Sequence, residues 1–113
     1  MERQFELYDE TGKYKDKLQE ELSDVMAAHN AFRSEVYKDG ALSHKFKRLI
    51  ALAVALRAGC TRCIIAQTKF AVEAGATKAE VLEAVSVAIY MGGSPAMGWS
   101  WRVVKVLEEL GKW

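Results

Sequence analysis

Apolar residues recur at steps of three and four along most of this chain. From Tyr14 to Tyr37 the series Leu18, Leu22, Val25, Met26, His29, Phe32 and Val36 marks one face of a helix and predicts a first long helix over that span. Asp39 and Gly40 should end it, glycine being the residue that tolerates a left-handed C-terminal conformation. Ser43 can cap a second helix of about 44–58, and the run "LIALAVAL" within it is apolar on every face, the pattern of a helix at the centre of a core. Ala58 and Gly59 close that helix, and a third is expected from Cys60 and Thr61 to Glu73, with Gly75 terminating it. "TKAE", residues 77–80, is a capping box that starts a fourth helix through Val81, Leu82, Val85, Ala88 and Ile89 to Met91. "GGSP" breaks it, and a last helix from about Ala96 to Leu110 carries Trp99, Val103, Val106 and Leu107, with Trp101 and Trp113 expected to face a partner subunit. Strand-like alternation is hard to find, so the chain reads as all-α: one compact domain, residues 1–113, of about five helices.

Composition narrows the field of functions. Half of the 113 residues are apolar, which suits one core. Sixteen basic and 15 acidic residues leave a formal charge of +1, so nothing in the total draws the chain to nucleic acid or an anionic membrane, and neither is expected as a partner. The longest apolar run, Leu49 to Leu56, is far below the roughly 18 residues a membrane helix needs. "MERQFELYDE" lacks the basic start and apolar stretch of a secretory leader, so a cytoplasmic location is expected. The charge is unevenly placed, however. From Gly40 to Val72 there is no aspartate or glutamate, while Lys45, Lys47, Arg48, Arg57, Arg62 and Lys69 are all basic.

Both cysteines, Cys60 and Cys63, lie inside that basic segment, three positions apart at a helix start. They can be a working dithiol, half of a metal site, or two small packing residues. Ordinary disulfides are kept reduced in the cytosol, so a structural staple is disfavoured. A helix N-terminus and nearby cations both favour thiolate, the reactive form, and a spacing of three puts both sulfurs on one helix face, where a disulfide closes by rotamer adjustment. Zinc asks for four ligands, and two cysteines with His29 and His44 in no familiar spacing make a poor set, so no metal is expected. Gln67, one turn after Cys63, shares its face and can hydrogen-bond a sulfur or substrate, but it cannot take a proton. His44 and His29 are the candidate bases; read structurally, the first is a helix-start surface residue and the second a partly buried core or interface residue.

Taken together, "LSHKFKRLIALAVALRAGCTRCIIAQTKFAVEAGATKAEVLEAVSVAIYMGGSP", residues 42–95, resembles the carboxymuconolactone decarboxylase superfamily and, within it, the alkylhydroperoxidase D-like branch. The resemblance rests on the apolar helix leading to Cys-x-x-Cys, then "AGAT" with an acidic helix start, then the double glycine. It implies an all-α domain with a central antiparallel helical hairpin, assembled as a homo-oligomer, commonly a hexamer, with a trimer as the smaller alternative. It also implies thiol-dependent peroxidase or disulfide reductase activity with no cofactor beyond a redox-active disulfide between Cys60 and Cys63. A dihydrolipoyl-type or other thiol would be the reductant, and a peroxide or disulfide the substrate.

Members with the full redox pattern carry a glutamate twelve residues before the first cysteine and a histidine four after the second, as a proton relay. This chain has Arg48 and Gln67 there. A guanidinium in place of a carboxylate favours a nearby thiolate but accepts no proton, so nucleophile readiness survives and proton shuttling does not. Cys60 and Cys63 are therefore the candidate catalytic residues, with Arg48 and Arg62 lowering thiol pKa and Gln67 positioning sulfur or substrate. Which cysteine attacks stays open: Cys60 is nearer the helix start and expected to be the more exposed, whereas Cys63 adjoins the altered relay position. Two other readings stand beside this one: a non-catalytic oligomeric member with a decayed site, and a decarboxylase-like lyase, which leaves the cysteines unexplained.

Overall fold

A computed structural model describes residues 1–113 and contains six helices and no strand: α1 (Gln4–Glu21), α2 (Ser23–Val36), α3 (His44–Ala58), α4 (Thr61–Glu73), α5 (Lys78–Gly92) and α6 (Ser94–Glu109). The central hairpin is α3–α4, with α5 and α6 packed against it. Leu49, Leu52, Ala55 and Leu56 from α3 meet Ile64 and Ala71 from α4, Val81, Val85 and Ala88 from α5, and Val103 and Leu107 from α6 in one cluster. Burying each large aliphatic side chain contributes roughly 1.5–3 kcal/mol, and this shared core is what holds the hairpin in place.

Caps and turns account for the ends. The Ser43 hydroxyl accepts from the Phe46 amide at 3.2 Å at the start of α3, and Thr77 and Glu80 form the reciprocal capping box at the start of α5. Gly59, between α3 and α4, is left-handed at φ 70°, and a Cβ there would lie 2.9 Å from Trp99 Nε1. That single glycine lets the chain reverse while α6 approaches the turn.

The N-terminal third differs from the pattern-based expectation. Helix begins at Gln4 rather than near Tyr14, and it breaks at Leu22 (φ −120°, ψ 39°), so one long helix becomes two and the total is six rather than five. The early start has a long-range cause. The Glu109 carboxylate of α6 accepts from the Gln4 amide at 2.7 Å and the Phe5 amide at 3.2 Å, supplying a cap that no neighbouring residue offers. Buried Arg102 of α6 donates from Nη1 to Gln4 Oε1 at 2.7 Å and ties the same end down; burial lowers its pKa from the ordinary arginine value. The stripe on α1 and α2, by contrast, is not core within the chain: Leu18, Leu22, Val25, Phe32 and Val36 are exposed, and α2 contributes no buried residue. On α3 likewise, Phe46, Ile50 and Val54 face outward, so this helix is buried on one side and open on the other. No helix is long and apolar enough to cross a membrane.

Candidate active site

Cys60 is the N-cap of α4, and Cys63 lies in its first turn. The two are joined as a disulfide with Cα atoms 5.2 Å apart, and the Cys63 amide donates to Cys60 Sγ at 3.2 Å. A thiolate at Cys60 in the reduced protein would thus occupy the position where an N-cap oxygen normally sits, against unpaired amides at the positive end of the helix. The exposure order is opposite to the expectation. Cys63 is exposed and Cys60 only partly so, because Cys60 is tucked into the turn beneath Gly59 while Cys63 sits one turn further along the outer face of α4.

Cys63 lies on the wall of a cleft of about 550 Å³ between the α1–α2 arm and the α3–α4 hairpin. Tyr8, Phe32, Tyr37 and Phe70 supply aromatic surface; Lys15, Arg33, Arg48 and Arg62 supply charge; no aspartate or glutamate is on the lining. A second, more apolar cleft of about 490 Å³ touches both cysteines, Gln67 and the outer face of α3 at Ile50 and Val54.

Arg48 and Gln67, the two positions where the resemblance led us to look for a proton relay, meet: Arg48 Nη1 donates to Gln67 Oε1 at 3.1 Å. The Arg48 guanidinium carbon also lies over two rings, 3.6 Å from the centroid of Tyr37 and 4.6 Å from that of Phe70. His44 holds the Arg48 Nε. The Tyr37 carbonyl can only accept, so the His44 Nδ1 at 2.8 Å is the protonated nitrogen, and Nε2 is free to accept from Arg48 Nε at 3.5 Å. His44 is consequently a positioning residue behind Arg48 and is not on the Cys63 cleft, whereas His29 is.

Arg62 is engaged by α1. Its Nη1 donates to the Tyr8 carbonyl at 2.6 Å and to Thr11 Oγ1, and its guanidinium lies 4.1 Å from the Tyr8 ring centroid. The cleft contributions of Tyr8, Phe32, Arg33, Tyr37 and Phe70 were absent from the sequence reading. The unbroken absence of acidic residues around the cysteines was the one signal that pointed toward this surface. No cluster of three or more histidine, cysteine, aspartate or glutamate side chains is gathered closely enough to hold a metal ion.

Residues 23–106 match the carboxymuconolactone decarboxylase family. The chain belongs to that family. The apo form of a carboxymuconolactone decarboxylase family protein from Legionella pneumophila superposes with a TM-score of 0.91 at 29% identity, covering 99% of this chain and 100% of that one. A family member from Thermotoga maritima, suggested to take part in an antioxidative response, is 32% identical with a TM-score of 0.71, over 76% of this chain and 89% of its own. Uncharacterized protein 4 in the cox locus of Paracoccus denitrificans is 38% identical over 71% of this chain and 72% of its own. Carboxymuconolactone decarboxylase family membership therefore accounts for the six-helix architecture of this chain.

Proposed function

We propose that the protein is a dithiol oxidoreductase that exchanges its Cys60–Cys63 disulfide with external thiols and disulfides. The observation that carries this reading is the closed Cys60–Cys63 pair at a helix N-terminus, with Cys63 on the wall of a cleft large enough for an organic substrate. In the reduced protein the Cys63 thiolate attacks one sulfur of a disulfide RSSR′, forming a Cys63–S–SR bond and releasing R′S⁻. Cys60 thiolate then attacks Cys63 Sγ, releasing RS⁻ and closing the internal disulfide. A dithiol reductant returns two electrons by the reverse exchange. Every leaving group is a thiolate, stable near neutral pH, so no proton relay is required. Peroxide reduction differs, because an alkoxide leaving group needs a proton, and neither Arg48 nor Gln67 can relay one. Disulfide exchange is accordingly the favoured activity, and peroxidase activity would depend on His29.

The test is a titration in graded thiol and disulfide buffers, counting free thiols by mass after alkylation. The expected result is a reversible two-electron step, with Cys60→Ser trapping a stable mixed disulfide on Cys63 and Cys63→Ser trapping much less. Thiols that stay free across the whole range would overturn the reading in favour of a non-catalytic family member, and turnover retained by both variants would overturn it in favour of a lyase.

We also propose that the chain assembles with copies of itself, a hexamer first and a trimer as the smaller closed alternative. The exposed apolar faces of α2 and of α3 support this.

A further inference from the structure

We propose that the Cys63 cleft selects organic anions: substrates with a flat or apolar body, carried on Tyr37 and Phe32, and an anionic oxygen group held by Arg48. This rests on the dithiol reading and names the substrate class for the same site. Four cations line the cleft and no carboxylate does. Of the four, only Lys15 has a carboxylate within ion-pair distance, Asp16 at 3.5 Å; Arg33, Arg48 and Arg62 have none. In the basic segment Lys45 and Lys69 are answered, by Glu80 at 2.8 Å and Glu73 at 3.7 Å, while Lys47 and Arg57 stand off the cleft without a carboxylate partner. What sets the cleft apart is that its four cations share one concave surface that carries no carboxylate.

Arg48 is the best-held of these cations. Its guanidinium lies over the Tyr37 and Phe70 rings, and Nε and Nη1 are engaged by His44 and Gln67, while Nη2 has no protein partner. A guanidinium so fixed loses little freedom on meeting an anion and presents its free edge for a charge-assisted hydrogen bond. Cations on several sides also raise the local concentration of anions at the cleft.

The experiment uses two aromatic disulfides, the dianion 5,5′-dithiobis(2-nitrobenzoate) and 4,4′-dithiodipyridine, which is neutral at pH 7. Each oxidises the reduced protein by the exchange written above: Cys63 takes one arylthio group, Cys60 closes the disulfide, and two aryl thiols leave with the two electrons. Rates are divided by those for a small free thiol to remove intrinsic reactivity. The wild-type protein is expected to prefer the dianion. Arg48→Gln should lower the anion-to-neutral ratio about tenfold, the effect of losing one charge-assisted hydrogen bond, and Arg48→Lys should restore part of it. Arg57→Gln, which removes the same charge from a residue off the cleft, should leave the ratio in place.

A ratio unchanged in Arg48→Gln while both rates fall would mean that Arg48 acts only on the thiolate, and an equal drop in Arg57→Gln would mean that net charge alone is at work. Either overturns the proposal. Failure of both reagents to close Cys60–Cys63 would instead sink the dithiol reading. Benzoate and phenyl phosphate at constant ionic strength, as competitors of Cys63 alkylation by a neutral reagent, distinguish a carboxylate from a phosphate group; protection by neither counts against the proposal.

Discussion

Glu80 shows how much one side chain can join. Its Oε1 accepts from the Thr77 amide at 2.9 Å to complete the capping box, and its Oε2 lies 2.8 Å from Lys45 Nζ on α3, so a local cap also ties α5 to the central hairpin. The Lys45 hydrogen bond first, and the Thr77 amide second, hold the Glu80 carboxyl below its ordinary pKa of 4.5. A carboxyl depressed on folding stabilises the fold above its unfolded pKa and loses that contribution as pH falls through the lower folded value. The stability gap between wild type and Glu80→Gln should therefore be full at pH 7 and shrink below about pH 4; a gap independent of pH would show that the carboxylate's charge plays no part. Thr77, Glu80 and the two cysteines are all legible in the sequence, because their partners lie within one helical turn. The Arg48–Gln67 pair could only be located by comparing positions, since its hydrogen bond crosses from α3 to α4. The Arg62 contacts were not legible for the same reason: its partners, Tyr8 and Thr11, are far away in sequence.

Among the elements, the turn between α3 and α4 is the most constrained, and it is the one that presents the dithiol. Gly59 is left-handed there, and an added methyl would meet the Trp99 ring as well as the unfavourable backbone region. Gly59→Ala should cost about 1–3 kcal/mol in denaturant unfolding of the reduced protein, combining backbone strain with a forced shift of α6. A loss within about 0.5 kcal/mol, the range of an ordinary surface change, would mean that Trp99 yields freely. The four helices from α3 to α6 were readable from capping residues and periodicity, with their ends within about two residues. The N-terminal helices were not. The start of α1 depends on the Glu109 carboxylate, and the break falls inside an uninterrupted apolar stripe, where the N-cap of α2 is Leu22, a residue with no side-chain cap to mark it.

For the chain as a whole, the unresolved account is of apolar surface. Half the sequence is apolar, yet only 18 of 113 residues are buried, too small a core to absorb the stripes that periodicity draws on α1, α2 and α3. Helix α2 is 14 residues long and buries none of them, and an isolated helix of that length is marginal in water. The proposed assembly would cover it, because a second copy offers exposed apolar surface on the outer face of α3, at Phe46, Ile50 and Val54. Sedimentation velocity should then report a mass several times 12.6 kDa, near six times for the hexamer that the family resemblance implies. Leu18 and Val25 are 62% and 61% exposed in the single chain and lie off the Cys63 cleft, which makes them a sharp probe. In a monomer, Leu18→Lys with Val25→Asp would change stability by no more than an ordinary surface pair, within about 1 kcal/mol. In the assembly the same pair places two charges in an apolar contact, so it should reduce the mass to that of a smaller species and lower helical content together. A monomeric wild type at micromolar concentration, with the double variant equally stable, would refute the assembly and leave the arm of α1 and α2 supported by Glu109, Arg102 and Arg62 alone.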